Sequence, residues 1–423
     1  MSKKKILIIS IFSILIIFIY FINSIENAAN SPKYQKKLSA SFFKVFMVLP
    51  DSIKSSIIIL SGKSSFSNLF NDYNVKFLPE TQYIEVVFDR KKIDLEKKNR
   101  NTFYIDAFKN SLILATKFGE FYQVKFEDLI KKEDKLNYNK IPTSGLSNLK
   151  GNIFDILISG NEIFISKDSN YKDCKRLEIY SAKIEDKLDF KIFKSFDECI
   201  SIKTGTCRIK DFSFNEQDGI LITTQDSDND KPGLKPQDDN SIFGKTVFIN
   251  KKTKEHMIFS KGHRNAQGLF IKGDVILSTE HGPKGGDEIN KIEYKKNYGW
   301  PIVSYGDSYN DKTLKYLESH KENGFQEPIY AFVPSIGISE LIILPNTFNP
   351  EWKFNALITS LNGRSIYRAK FEDETFQKIV YIEKIFIGER IRDIKYVDKL
   401  NFIIVALERT GDIGIIKNKL KIK

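Results

Sequence analysis

From about residue 100 onward, short runs of Ile, Leu, Val and Phe alternate with polar turns of Gly, Asn, Asp and Lys, and no stretch keeps a helical period. The runs come in pairs separated by a tight polar link. Tyr104–Phe108 is followed by Leu112–Thr116, Ile153–Ile158 by Ile163–Ser166, and Lys210–Phe214 by Ile220–Thr224. Gln267–Ile271 precedes Val275–Thr279, Glu340–Leu344 precedes Ala356–Ser360, and Arg392–Tyr396 precedes Asn401–Val405. Successive pairs start about 50–57 residues apart, with one longer gap before the fifth, a period that suits four-stranded propeller blades. The pattern predicts an all-β, six-bladed β-propeller of four-stranded blades over residues 101–420. An eight-stranded barrel or sandwich does not need so many hairpins. Residues 23–100 follow the period poorly. They hold an apolar stretch, Phe42–Leu49, and a strand-like one, Tyr83–Phe88, and read as a stalk and entry segment, with a strand available to close the ring.

The N-terminus has a different pattern. A cytoplasmic basic tip, residues 1–5 with Lys3, Lys4 and Lys5, precedes an apolar run from Ile6 to Ile22 broken only by Ser10 and Ser13. That run is near the short end of a spanning helix and longer than the usual core of a secretory signal. A cleaved signal peptide is the rival reading, but residues 23–29 lack a clean small-x-small cleavage pattern and no Cys follows for lipid attachment. The expectation is one N-terminal transmembrane anchor over 6–22. The positive-inside rule then leaves the rest periplasmic or extracellular.

Composition changes this picture little. Lys and Arg number 66 against 54 Asp and Glu, for a net charge of +12 over 423 residues. The Lys residues are scattered among acids, and no basic stripe carries interleaved aromatics, so nucleic acid is not an expected partner. Three cysteines, Cys174, Cys199 and Cys207, are too few for a disulfide scaffold. Cys199 and Cys207 could close a small loop; three buried free thiols is the alternative.

Two neighbouring segments carry candidate chemistry. One is Gly262-His263-Arg264-Asn265-Ala266-Gln267-Gly268. The other is Glu280-His281-Gly282-Pro283, continuing to Asp287-Glu288-Ile289-Asn290 and then Asn297-Tyr298-Gly299-Trp300-Pro301. An Arg beside an Asn at a strand entrance suits carboxylate and carbonyl oxygens together. A Gly-Pro turn offers backbone carbonyls that a hard cation accepts. Together these segments resemble the soluble glucose/sorbosone dehydrogenases, six-bladed propellers dependent on pyrroloquinoline quinone (PQQ). The likeness runs over roughly residues 100–418 and is densest from Gly262 to Gly306. It implies that Arg264 and Asn265 contact PQQ and that the carbonyls of Gly282 and Pro283 hold Ca²⁺. It further implies that Arg390 and Arg392, spaced to point the same way on a strand, and Gln237, ahead of Asn240-Ser241-Ile242-Phe243-Gly244-Lys245, belong to the cofactor site. The implied reaction oxidises a sugar at its C1 hydroxyl to a lactone and passes electrons to a membrane acceptor.

The sequence also departs from that family. Its general base is a His seven residues before the Phe of the third-blade strand; here Cys207 stands seven before Phe214. The histidines are His256, His263, His281 and His320, none near that point. A family Lys in a Leu-Lys-Gly turn is Asn362, with Arg364 as a possible substitute. Asp211 and Asp226 are nearby carboxylates that could stand in for the missing base. The run Asp226, Asp228, Asp230 lacks the Gly and Glu of a calcium loop and reads as a solvated loop. Two functions remain open: a PQQ- and Ca²⁺-dependent sugar dehydrogenase, or a non-catalytic propeller that binds a glycan, ligand or protein.

Overall fold

In a strand, consecutive side chains point to opposite faces, so an unbroken apolar run is stable only where both faces are covered. Phe402–Leu407 obeys this residue by residue. Ile403, Val405 and Leu407 enter one apolar layer, while Ile404 and Ala406 enter the layer on the other face. The computed structural model describes residues 86–95, 102–146, 151–172, 174–200, 206–226, 235–308, 316–317 and 319–418. The apolar run at 6–22 and the stretch at 42–49 lie outside the described residues. Among the described residues no helix is long and apolar enough to cross a membrane.

Six four-stranded antiparallel sheets follow one another along the chain. Their innermost strands are Phe103–Phe108 (blade I), Ile153–Ser159 (II), Ile209–Phe214 (III), Ala266–Lys272 (IV), Ile338–Ile343 (V) and Ile391–Val397 (VI). Each touches the innermost strand of the next blade, and blade VI touches blade I, so the ring is closed. The six sequence pairs are the inner hairpins of these blades. The outer strand of blade VI is Val86–Lys91, which pairs antiparallel with Ile413–Asn418 in register Val86 to Asn418. The last blade is thus built from both ends of the propeller, and no ladder is left open where the ring joins. One apolar layer fills each gap between neighbouring blades.

Innermost strands of adjacent blades do not form a ladder, so their N–H groups need other partners. Carboxylates supply them. Asp106 of blade I accepts from Ile158 N of blade II at 2.8 Å, and Asp155 of blade II accepts from Ile209 N of blade III at 3.0 Å. Glu340 of blade V accepts from Leu269 N of blade IV at 2.9 Å, and Asp393 of blade VI accepts from Ile105 N of blade I at 2.8 Å. Arg208, just before the blade III inner strand, lies across the channel. Its guanidinium meets Asp155 at 3.4 Å and Glu340 at 3.8 Å, donates to the Gln267 carbonyl, and sits 5.1 Å from the Tyr104 ring. One side chain from blade III therefore ties down blades I, II, IV and V.

The cysteines differ from both expectations. Cys174 and Cys199 form a disulfide across a separation of 25 residues, and Cys207 is the free thiol. Cys174 starts the third strand of blade II and Cys199 is near the end of its outer strand, where Cys199 pairs with Arg176 in register. Strand pairing, not closeness in sequence, decides which sulfurs meet.

Candidate functional site

The mouth at which the innermost strands begin gathers the two motif segments. Asp287 shapes the turn after Glu280. It accepts from Gly282 N at 3.2 Å and from Ile336 N and Ile338 N at 2.9 Å each. Any side chain on Gly282 would collide with the carbonyls of Gly285 and Gly286, so only glycine fits there. His263 fixes the neighbouring segment. Its ring bridges Glu280 Oε1 at 2.6 Å and Ser260 Oγ at 2.7 Å and stacks on Tyr298 at 4.5 Å. Glu280 also accepts from Arg264 N at 3.2 Å. Burial raises the Glu280 pKa, but His263 and these hydrogen bonds outweigh it and hold the carboxyl below its ordinary range.

Arg264 is thereby aimed at the turn. Its Nη1 donates to the carbonyls of His281 and Gly282, each at 2.9 Å, and its guanidinium lies 5.2 Å from the Trp300 ring. Asp226 holds Trp300 through its indole N–H at 2.8 Å and is fully buried, not solvated. Its loop partners Asp228 and Asp230 lie outside the described residues. Gln237 and Asn297 exchange two amide hydrogen bonds at 2.7 and 3.2 Å, and Gln237 donates to the Trp300 carbonyl at 2.7 Å. Among the described residues it has no hydrogen bond to Arg264, Asn265 or the arginine pair.

A chain of polar side chains crosses the mouth from blade III to blade I. Thr206 donates to Asn265 Oδ1 at 2.7 Å, and Gln267 Nε2 donates to the same oxygen at 2.6 Å. Arg392 Nη1 donates to Gln267 Oε1 at 3.1 Å, and its Nη2 to Glu408 Oε1 at 2.7 Å. Glu408 accepts as well from Arg390 Nε at 2.8 Å and from Thr102 at 2.8 Å. Arg390 and Arg392 therefore share Glu408, not Glu389 or Asp393. Burial works against the ionised Glu408, yet Arg392 and Arg390 prevail and hold it at about 2. His281 is pushed down to about 4 by burial and by Arg392 and Arg264, with Asp287 opposing. The Arg392–Gln267 hydrogen bond and the Arg264 bonds to His281 and Gly282 bring the two motifs and the C-terminal pair together.

Gln267 and Glu280 stand inside the sequence motifs, yet their roles were not legible there. Thr206 and Glu408 carry no motif at all. Cys207, at the expected base position, is fully buried in the apolar layer between blades II and III. Burial pushes its thiol pKa up, out of nucleophile or base range. Asp211 is exposed and paired with Lys251 at 2.8 Å. Neither replaces the base.

The sequence profile of the glucose/sorbosone dehydrogenases matches residues 195–414, just over half of the chain. The chain belongs to the glucose/sorbosone dehydrogenase family. Its similarity to individual members of that family is partial. An uncharacterised Synechocystis protein is 32% identical over 165 residues, 38% of this chain and 39% of that protein. The aldose sugar dehydrogenase YliI of Escherichia coli is 26% identical over 194 residues, 42% and 51% of the two chains. Quinoprotein glucose dehydrogenase B of Acinetobacter calcoaceticus is 37% identical over 92 residues, 20% and 19%. The chain thus matches 19–51% of the length of these relatives. Two family structures share the fold. The soluble aldose sugar dehydrogenase of Escherichia coli, in its apo form, superposes with a TM-score of 0.65 at 18% identity, covering 79% of this chain and 100% of that one. The PQQ-bound aldose sugar dehydrogenase of Streptomyces coelicolor gives 0.57 at 14% identity, covering 78% and 98%.

The residues at the mouth fit a polycarboxylate such as PQQ. Arg392 Nε is buried without a hydrogen-bond partner, and Arg390 and Arg392 have a single carboxylate between them. The Gly282 carbonyl fits Ca²⁺ less directly, because Arg264 already donates to it. No metal-binding cluster of His, Cys, Asp or Glu occurs among the described residues.

Proposed function

We propose that the chain binds PQQ at this mouth and oxidises a sugar outside the cytoplasm. The observation that carries the reading is the bonded chain from Asn265 through Gln267 to Arg392 and Glu408, which joins the two halves of an anion cradle. Arg264, Asn265, Arg390 and Arg392 hold the cofactor's carboxylates and carbonyls, and Glu408 keeps the arginine pair in place. When bound, PQQ supplies a two-electron acceptor, and a sugar oxidised at C1 leaves as a lactone. Arg264 would contact a cofactor carboxylate, and the carbonyls of Gly282 and Pro283 would hold Ca²⁺. The Cys174–Cys199 disulfide supports an oxidising compartment, and Lys3–Lys5 with the apolar run 6–22 supports a membrane anchor that brings the propeller near an electron acceptor.

A second reading, a propeller that binds the cofactor or another ligand without turnover, is favoured by the buried Cys207. Oxidation needs a base for the hydroxyl proton, worth roughly 10²–10⁴ in rate and most effective with a pKa near the working pH. Glu408 at about 2 and His281 at about 4 are both poorly matched. The test is to load the full-length chain with PQQ and Ca²⁺ and supply aldoses with an artificial electron acceptor. Sugar-dependent dye reduction is expected. PQQ binding without reduction selects the second reading, and absence of both rejects the cofactor assignment.

A further inference from the structure

We infer that Gln225 is a substrate contact, its side-chain amide hydrogen-bonding a ring hydroxyl of the sugar other than the one oxidised; this rests on the sugar-oxidation reading above. Gln225 follows the blade III strand Gln217–Thr223, which pairs Ile222 with Ile209 and so ends at the mouth. Both of its neighbours are fastened. Thr224 accepts from Lys245 N at 3.0 Å, and Asp226 N donates to the Arg264 carbonyl at 2.7 Å while its carboxylate holds Trp300. Between these anchors the Gln225 side chain reaches Thr206, with Oγ1 to Oε1 at 3.4 Å. Thr206 also donates to Asn265 Oδ1 at 2.7 Å, so Gln225 stands one hydroxyl away from the bonded chain that runs to Arg392.

Hydrogen-bond capacity leaves this amide incomplete. Thr206 has a single hydroxyl proton. Three oxygens lie within its reach: Asn265 Oδ1 at 2.7 Å, the Ala266 carbonyl at 3.2 Å and Gln225 Oε1 at 3.4 Å. The shortest contact takes the proton, and the longest is at the outer limit of a useful bond. That long contact is the only hydrogen bond of the Gln225 side chain among the described residues, yet Gln225 is just 5% exposed. A buried amide left in this condition costs stability, and buried amides are normally paired. The rest of the chain is already committed. Arg392 can only donate, so Gln267 turns Oε1 to it and Nε2 to Asn265, whose Oδ1 is thereby taken twice. Asn265 keeps its Nδ2 for a cofactor oxygen, and the next open amide along the chain is Gln225.

What the amide lacks defines its ligand. Its N–H groups need an acceptor, its oxygen needs a donor, and it carries no charge; a sugar hydroxyl supplies both functions in one atom. Thr206 and Asn265 are only part-buried, so this end of the chain opens to the mouth. An amide does not take up a proton at working pH, so Gln225 orients the sugar and does not serve as the base. A site built to hydrogen-bond a hydroxyl discriminates against an analogue that lacks it, which makes Gln225 a specificity residue.

The test loads the full-length chain with Ca²⁺ and chemically reduced PQQ, so that no turnover adds heat, and titrates it by calorimetry. The probes are glucose and the monodeoxy glucoses that each lack one hydroxyl other than that on C1. Gln225→Met removes the amide and keeps its length. It should weaken glucose binding about 3- to 10-fold, the range of one neutral hydrogen bond. PQQ affinity should stay within about twofold, and the apo melting temperature should stay level or rise. For one monodeoxy sugar the substituted and unsubstituted chains should bind alike, and the hydroxyl it lacks is the one that Gln225 holds. Glucose binding by Gln225→Met within twofold of the unsubstituted chain overturns the inference. So does a loss of the same size for every monodeoxy sugar, or a matching loss of PQQ affinity, since either makes Gln225 a structural residue. If the unsubstituted chain binds PQQ but no sugar, the inference and the sugar substrate fall while the cofactor site stands. If it binds no PQQ, the reading beneath falls as well.

Discussion

Thr206 and Cys207 are neighbours that face opposite ways, and the chemistry expected at the third blade depends on that alternation. Thr206 reaches Asn265 in the cradle, while Cys207 enters the apolar layer between blades II and III. Counting along the sequence finds the right segment but not the direction of the side chain, which depends on how the strand enters its sheet. The Cys207 thiol should therefore resist a maleimide in the native protein and react only after denaturation. Cys207→His should give no gain in turnover and should destabilise the fold by about 2–4 kcal/mol, since an imidazole would be overpacked in an apolar layer; Thr206→His is the variant that presents an imidazole to the cradle. Glu408 gives a second prediction. Its pKa is depressed from the ordinary 4.5 to about 2, so its contribution is fully present above about 4.5 and is lost as pH falls through about 2. Glu408→Gln should cost about 3 kcal/mol at neutral pH and flatten that acid limb of the unfolding curve. Arg264 and Asn265 were read from the densest stretch of the resemblance, and Arg392 from its spacing with Arg390. Glu408 was not, because nothing near it in sequence marks a residue whose partners come from Thr102 and Arg390.

The inner hairpins were readable from alternation because both of their faces are covered. The outer strands were less so. Ile379–Phe386 and Lys191–Ile200 mix exposed and buried positions, since one face meets solvent and the pattern weakens. The cysteine pairing belongs to this level too, as it follows from the outer strands of blade II lying side by side. Thiol titration in denaturant should find one free thiol without reductant and three with it. Reduction should lower stability by about 2–4 kcal/mol for a loop of this size. The strand-like Tyr83–Phe88 segment overlaps Val86–Lys91, the strand that completes blade VI. Deleting residues up to Lys91 should leave Ile413–Asn418 as a bare edge, read as aggregation and a lost cooperative melt on heating.

Across the whole propeller, six apolar layers hold the ring, and the polar groups concentrate at its axis. Arg208 and the carboxylates Asp155, Glu340 and Asp393 join the blades at the axis, while Arg264 of blade IV and Arg390 and Arg392 of blade VI stand at the mouth. The period in the sequence foretold the ring, because each blade repeats one hairpin pattern. It could not foretell the axis, where every contact joins residues far apart in the chain. A mouth rich in arginine on such a ring suits an anion, and PQQ is the anion proposed for it. Calorimetric titration of PQQ into the full-length chain, with Ca²⁺ present, measures this without requiring turnover. The expected result is saturable binding of one PQQ per chain, weakened at least tenfold by Arg392→Gln and much reduced by chelating Ca²⁺. Heat no greater than dilution, or binding untouched by Arg392→Gln, would contradict it.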